Sequence, residues 1–227
     1  MIDLAFLDTL LRAPAAAASR CHRDEPADAA AIARSALVAI TVAATTFGAV
    51  VGSWRGGKQV AFAAIKMPVA VLGTFVLVAP AFWALTAALG RPWSLRPALA
   101  IMLAAGARFA LLLLAFTPPL WLAIDLGAPY DVVKLLATLA YGLAGLAGLE
   151  MLVRGLGEGP GRRLTLGLFA VVFVVVGGQN AWVLRPYLGV PGAGEVTFLV
   201  DAREGGLVGQ LRESARDLTG RRHVRAR

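Results

Sequence analysis

The chain reads as an all-α, polytopic transmembrane helical bundle of about five spans, with an N-terminal interfacial helix and a short soluble C-terminal tail. Three observations carry that reading. Of 227 residues, 58% are hydrophobic and only 16% charged, whereas a soluble domain carries about 25% charge; the mean hydropathy is +0.71. The charges cluster between apolar runs long enough to cross a bilayer. Basic residues outnumber acidic ones, 22 to 14, and they flank the apolar runs instead of forming one stripe. That pattern favours an anionic leaflet as neighbour and disfavours nucleic acid.

What the composition excludes is equally useful. Cys21 is the single cysteine, so no intrachain disulfide forms. His22 and His223 are the two histidines, and both lie in the terminal segments. A membrane haem usually needs an intramembrane His, and a zinc site has almost no ligands to draw on. The chain has neither a P-loop nor a dinucleotide fingerprint, and no histidine close enough to the apolar runs to activate a serine. No catalytic, cofactor-binding or metal-ligating residue is therefore expected.

Residues 2–12 set Ile2, Leu4, Phe6, Leu7, Leu10 and Leu11 against Asp3, Asp8 and Arg12, with Asp8 and Arg12 spaced i,i+4. This suits a short helix lying on the membrane; a frayed terminus is the alternative. A signal peptide fits poorly, because no basic n-region precedes the apolar stretch and Asp3 and Asp8 interrupt it. Residues 13–34 are polar and basic and include Asp24-Glu25-Pro26, a helix-start signature. The segment 1–34 is thus set apart from a bundle over 35–187 and a tail over 188–227.

The first span, 35–53, is weakly hydrophobic, with Thr41, Thr45 and Thr46. Its Gly48-x-x-x-Gly52 offers a small-residue face for close helix packing inside the bundle. A turn over 54–59 carries Trp54. The apolar run 60–89 would reach about 45 Å as one helix, beyond a hydrocarbon core of about 30 Å. Residues 59–66 are therefore expected at the interface, with the span beginning near Pro68 and kinking at Pro80.

The run 98–124 repeats the oversized pattern. Lys58, Pro80 and Trp83 match Arg96, Pro118 and Trp121 at a constant offset of 38, which hints at a duplicated helix–loop unit; chance would also produce three such matches. After a turn over 123–131, the fourth span covers 132–153, with Ala137, Ala140, Ala144 and Gly148 as a small-residue ridge. Glu150 and Arg154 pair at i,i+4 near its end. A glycine-rich basic loop over 155–163 precedes the fifth span, 164–184. In the tail, 195–200 alternates like a short strand, 203–218 suits an amphipathic helix, and 221–227 is basic and expected to be disordered.

Loop charge orients the bundle. With the N-terminus cytoplasmic, the inner side holds Arg12, Arg20, Arg23, Arg34, Arg91, Arg96, Arg154, Arg162 and Arg163, and the outer side Arg55, Lys58, Lys66 and Arg185.

The candidate polar or assembly site comprises Arg108, Gln179, Asn180, Trp182, Arg185 and Tyr187. If the third span is 98–117, Arg108 lies near its middle and needs a partner or a polar cavity. Gln179, Asn180, Thr45, Thr46, Thr138 and Tyr141 are the candidate partners. If the span is 109–126, Arg108 sits at the interface instead. Gln179 and Asn180 lie about 8–9 Å along the helix from Arg185 and suit hydrogen bonds to neighbouring helices. Trp182 and Tyr187 suit the interface, and Pro186 ends the helix.

At Gly178-Gln179-x-Ala181-Trp182-Val183-Leu184-Arg185-Pro186-Tyr187, with Trp54-Arg55-Gly56-Gly57-Lys58-Gln59 and Lys66-x-Pro68 upstream, the chain resembles a family of functionally uncharacterised bacterial multi-pass inner-membrane proteins. The similarity covers roughly residues 54–215 and rests on a G-x-Q-x-A-W-V-L-R-P-[FY] string. It implies an inner-membrane helical bundle and brings no activity with it. A fainter similarity, in span count and Gly/Pro layout, is to five-span Yip-type membrane proteins. The chain departs from the bacterial family at Phe198-Leu199-Val200-Asp201, where a more aromatic segment is expected. Two functions follow as expectations. One is a non-catalytic anchor or scaffold subunit that meets anionic headgroups and protein partners or copies of itself. The other is a small-solute or lipid transporter with a polar cavity near Arg108.

Overall fold

The computed structural model describes residues 2–88, 90, 93–159, 161–183 and 198. Seven helices are present among them: α1 (Leu4–Arg12), α2 (Pro14–Cys21), α3 (Pro26–Ser53), α4 (Lys58–Ala88), α5 (Leu95–Asp125), α6 (Tyr130–Leu156) and α7 (Arg162–Val183). Helices α3 to α7 are long and apolar enough to cross a membrane, so the chain is a multi-pass membrane protein.

Around the outside of the bundle, Val76, Leu77, Leu135, Leu146, Val171 and Val174 are exposed. Water would penalise that surface and hydrocarbon accepts it. Trp83 and Trp93 lie toward the end that carries α1 and α2, while Trp54 and Trp121 lie toward the other, the spacing of an aromatic belt. At the far end the Trp54 indole N–H donates to the Ala128 carbonyl at 3.2 Å and its ring meets Tyr130 edge-on, tying the α3–α4 turn to the α5–α6 turn.

The centre of the bundle is α3, packed against both α4 and α5. Its small residues have a packing role: Ala36, Ala43, Ala44, Gly48 and Gly52 are buried against neighbouring helices. A Cβ added at Gly48 would come within 2.7 Å of the Met67 Cβ, and one at Gly52 within 2.6 Å of the Gln59 carbonyl oxygen. Close backbone approach of α3 and α4 thus requires glycine at both positions.

α6 packs along α5 through Ala140, Ala144 and Gly148, which are buried, with Ala137 partly buried beside them. α7 packs on α4 through a ladder of rings: Phe82 against Phe169 at 5.0 Å between centroids, and Phe75 against Phe173 at 5.4 Å. α6 and α7 barely meet.

Several sequence expectations need correction. The boundary at residue 34 falls inside α3, which starts at Pro26 because that proline occupies its first turn. Within the polar segment 13–34, for which no helix before Pro26 is expected, residues 14–21 form α2, led by Pro14. Residues 59–66 do not lie apart from the second span; α4 runs unbroken from Lys58 through Pro68 and Pro80. A transmembrane helix tolerates both prolines because neighbouring helices re-satisfy the freed backbone. Lys66, expected at the interface, is fully buried, with its ammonium 4.8 Å from the Phe198 ring centroid. Phe198 is the one described residue of the 188–227 tail, and its ring also meets Phe62 edge-on at 5.2 Å. The short strand at 195–200, the helix at 203–218 and the basic end at 221–227 otherwise lie outside the described residues.

The two short helices are clamped onto one end of the bundle. Asp3 caps α1 by accepting the Phe6 N–H at 2.9 Å, and its own N–H donates to the buried Ser35 hydroxyl of α3 at 2.8 Å. Arg20 of α2 reaches Asp3 at 2.7 Å and also pairs with Asp28 of α3, while its guanidinium lies over the Phe6 ring. Phe6 and Leu10 are buried beneath, worth about 1.5–3 kcal/mol each. His22 donates to the Gly155 carbonyl at 2.8 Å, one of the carbonyls left over at the end of α6. The Phe6 N–H and the Arg20 guanidinium hold the Asp3 carboxyl below the usual carboxylate range, and the two carboxylates raise Arg20 further. Burial pushes the Cys21 thiol up to about 12.

Candidate functional site

Arg108 stands on α5, thirteen residues after Leu95, about 20 Å along the helix. Its side chain is 12% exposed, and Nη2 donates to Glu150 Oε2 of α6 at 2.7 Å. The other oxygen of Glu150, Oε1, accepts from Arg154 Nη2 at 3.2 Å, one turn further on the same helix.

Helices α5 and α6 run antiparallel, with Ala105 against Gly148 and Ile101 against Gly155. Glu150 therefore lies nearer than Arg108 to the end that carries α1 and α2, and Arg154 nearer still. The three charges form a ladder from the middle of α5 toward that end, so Arg108 snorkels onto an internal counterion. Arg108 Nη1 is buried with no hydrogen-bond partner among the described residues.

This pairing corrects the expected partners. Thr46 returns its hydroxyl to the Val42 carbonyl, and Thr138 to the Lys134 carbonyl, each within its own helix. Tyr141 donates to Met67 Sδ at 3.3 Å. The carboxylate that meets Arg108 was visible in the sequence, but its i,i+4 arginine already accounted for it there. A carboxylate offers two oxygens, and each can take a separate guanidinium.

Asn180 serves a different contact. Its Nδ2 donates to the Ala70 carbonyl at 2.8 Å and to Thr74 Oγ1 at 3.0 Å, both on α4. Thr74 in turn donates to the same Ala70 carbonyl at 2.7 Å, which closes a three-membered network. Gly73 makes room for it, since a Cβ there would sit 3.2 Å from the amide nitrogen. Gln179 is half-buried on α7. The backbone of Trp182 belongs to α7, but its side chain lies outside the described residues, as do Arg185 and Tyr187.

Among the described residues, the candidates therefore do not gather at one place. Arg108 joins α5 to α6, and Asn180 joins α7 to α4. Between α6 and α7 lies an apolar cleft floored by Phe75 and Phe109, and neither Arg108 nor Asn180 lines it.

Sequence reading missed the clamp of Arg20 on Asp3 and Asp28, and a second one at the same end. There Asp24 accepts from the Ser94 hydroxyl at 2.9 Å and from Arg96 at 3.2 Å. The signal present in the sequence was the mixed charge run from Arg20 to Asp28 around the helix start at Pro26. No family model, curated protein or solved structure matches the chain.

Proposed function

We propose that this chain is a non-catalytic integral membrane anchor or scaffold subunit of a bacterial inner-membrane assembly, with its N-terminus cytoplasmic. One observation carries the reading: two polar side chains inside the spans are spent on contacts between helices. Arg108 meets Glu150, and Asn180 meets Ala70 and Thr74. A transport site needs side chains turned toward a shared polar cavity, and the cleft between α6 and α7 is walled by apolar side chains.

The orientation rests on loop charge and agrees with the clustering of Arg20, Arg96, Arg154 and Arg162 toward the end that carries α1 and α2. The resemblance to bacterial inner-membrane proteins supplies the compartment. The experiment is purification in a gentle detergent, with mass spectrometry of the intact particle. A stoichiometric protein partner or a defined homo-oligomer is expected; recovery of a lone monomer overturns the reading.

A second reading, a small-solute or lipid transporter, is favoured by one specific feature, the buried Nη1 of Arg108. It predicts solute or lipid flux in proteoliposomes that is lost in Arg108→Gln. Flux unaltered by that change removes it.

A further inference from the structure

α7 leans on α4 and α6 leans on α5, so a lateral groove opens where α6 and α7 fail to meet. It comprises two clefts, of about 290 Å³ toward the end that carries α1 and α2 and about 260 Å³ toward the other. They share Phe75 and Phe109 as floor, Gly145 on one wall, and Phe173 and Val174 on the opposite wall, so the groove is continuous.

On α6 the groove extends from Leu152 to Tyr141, about 16 Å at 1.5 Å per residue. Its two hydroxyls are already engaged: Tyr141 donates to Met67 Sδ and Thr74 to the Ala70 carbonyl. Nothing in the groove asks for water, and an empty one would forfeit dispersion contacts along its whole lining.

The dimensions choose the occupant. A helix about 10 Å across and 16 Å long needs more than about 1,000 Å³, about twice what the 290 and 260 Å³ clefts hold together. A single hydrocarbon chain needs only a narrow slot. The glycines keep that slot open: a Cβ added at Gly142 or Gly145 meets nothing within 4 Å.

Charge marks one end. Arg162 lies seven residues, two turns, before Phe169 on the stripe of α7 that faces the groove, and its Nη2 donates to the Val153 carbonyl of α6 at 3.3 Å. Arg163 follows it. The two arginines line a separate surface cleft at the start of α7, where they outnumber one acidic residue, Glu158. An apolar slot about one leaflet deep, about half of a 30 Å hydrocarbon core, that ends on cationic side chains matches the outline of an anionic amphiphile.

We propose that the groove between α6 and α7 holds one acyl chain of an anionic bilayer phospholipid, with its phosphate at Arg162 and Arg163. This inference does not depend on the scaffold reading.

The test is native mass spectrometry of the full-length protein in mild detergent, titrated separately with phosphatidylglycerol and phosphatidylcholine. The wild type is expected to retain one phosphatidylglycerol in preference to phosphatidylcholine. Gly145→Leu, and independently Gly142→Leu, fill the slot and should lower the retained fraction about tenfold, a loss of 1.4 kcal/mol. Both should keep the wild-type thermal midpoint. Gly167→Leu adds the same side chain at another open position outside the groove lining and should retain lipid normally. Arg162→Gln with Arg163→Gln should erase the preference for phosphatidylglycerol while leaving chain binding intact. Equal retention by Gly145→Leu, Gly142→Leu and wild type overturns the proposal. So does an equal loss in Gly167→Leu. If the filled variants keep the lipid but shed a protein subunit, the groove seats a partner helix and the proposal is wrong.

Discussion

At the residue scale, the bundle's energetics turn on polar groups that hydrocarbon cannot solvate. Glu150 is the acceptor of a three-charge ladder, one oxygen to Arg108 and one to Arg154. Glu150→Ala should cost about 2–4 kcal/mol, somewhat below the range for a fully buried pair because the carboxylate is half-exposed. Replacing both partners, Arg108→Leu with Glu150→Leu, should recover most of that loss, since no uncompensated charge remains. Thermal unfolding midpoints of the two singles and the double check this; a double mutant as unstable as the sum of the singles refutes it. Asn180 is a neutral counterpart. Asn180→Leu removes two hydrogen bonds to α4 and should cost about 0.6–2 kcal/mol, the measured scale of interhelical hydrogen bonds in membranes. Thr74→Val in the same background should add little, because the two side chains belong to one network.

At the element scale, the packing of α3 on α4 depends on backbone proximity. Gly48→Val would drive a side chain into the Ala63 and Met67 region and should cost about 1–3 kcal/mol by overpacking. The same change at Gly142, where space is open, should be close to neutral by the same unfolding assay. The α1–α2 hairpin behaves as a docked unit whose clamp is electrostatic. Asp3 titrates below the usual carboxylate range, held down by the Phe6 N–H and Arg20. Its contribution is complete above its unfolded value near 4 and fades as pH falls through the lower folded value. Acid should therefore loosen α1 below about pH 4, detected as pepsin cleavage within residues 4–21 while α3 to α7 stay intact. At alkaline pH the buried Cys21, whose thiol is pushed up to about 12, should alkylate slowly. Arg20→Ala, which frees both Asp3 and Asp28, should speed that alkylation about 5- to 30-fold, what a lost clamp of about 1–2 kcal/mol implies. Unchanged rates would mean that Phe6 and Leu10 alone hold the hairpin down.

At the scale of the whole molecule, α3 is central, and the pairs α4–α7 and α5–α6 lie on its flanks. α4 and α5 each contain 31 residues, and the matched Pro and Trp positions fall at equivalent points along them. Two such helices joined by a short connection run in opposite directions, the arrangement of an inverted pair. The register of α7 can be tested directly. In a Cys21→Ser background, Thr74→Cys with Gly177→Cys should form a disulfide on mild oxidation, because a Cβ at Gly177 lies 3.3 Å from the Thr74 methyl carbon. Gly145→Cys with Val174→Cys, on opposite walls of the groove, should stay reduced. Cross-linking of the second pair and not the first would place α7 on α6 instead of α4.

The class of this protein, its five spans and the start of α3 at Pro26 were legible in the sequence. Hydropathy, Pro26 and the glycine turns act along the chain and need no neighbour. The tight face at Gly48 and Gly52 and the ridge at Ala140, Ala144 and Gly148 were also legible, because small residues at helical spacing have one main use in a membrane. Tertiary structure alone decided which charges distant in sequence meet. Arg108 and Glu150 are 42 residues apart, Asp3 and Asp28 flank Arg20 from two helices, and Lys66 is buried where the sequence suggests a surface. Each of these depends on helix rotation, which changes by 100° per residue, and on which helices are neighbours. The groove between α6 and α7 belongs to the same kind. Two helices of ordinary sequence leave it open because each has a better partner elsewhere in the bundle.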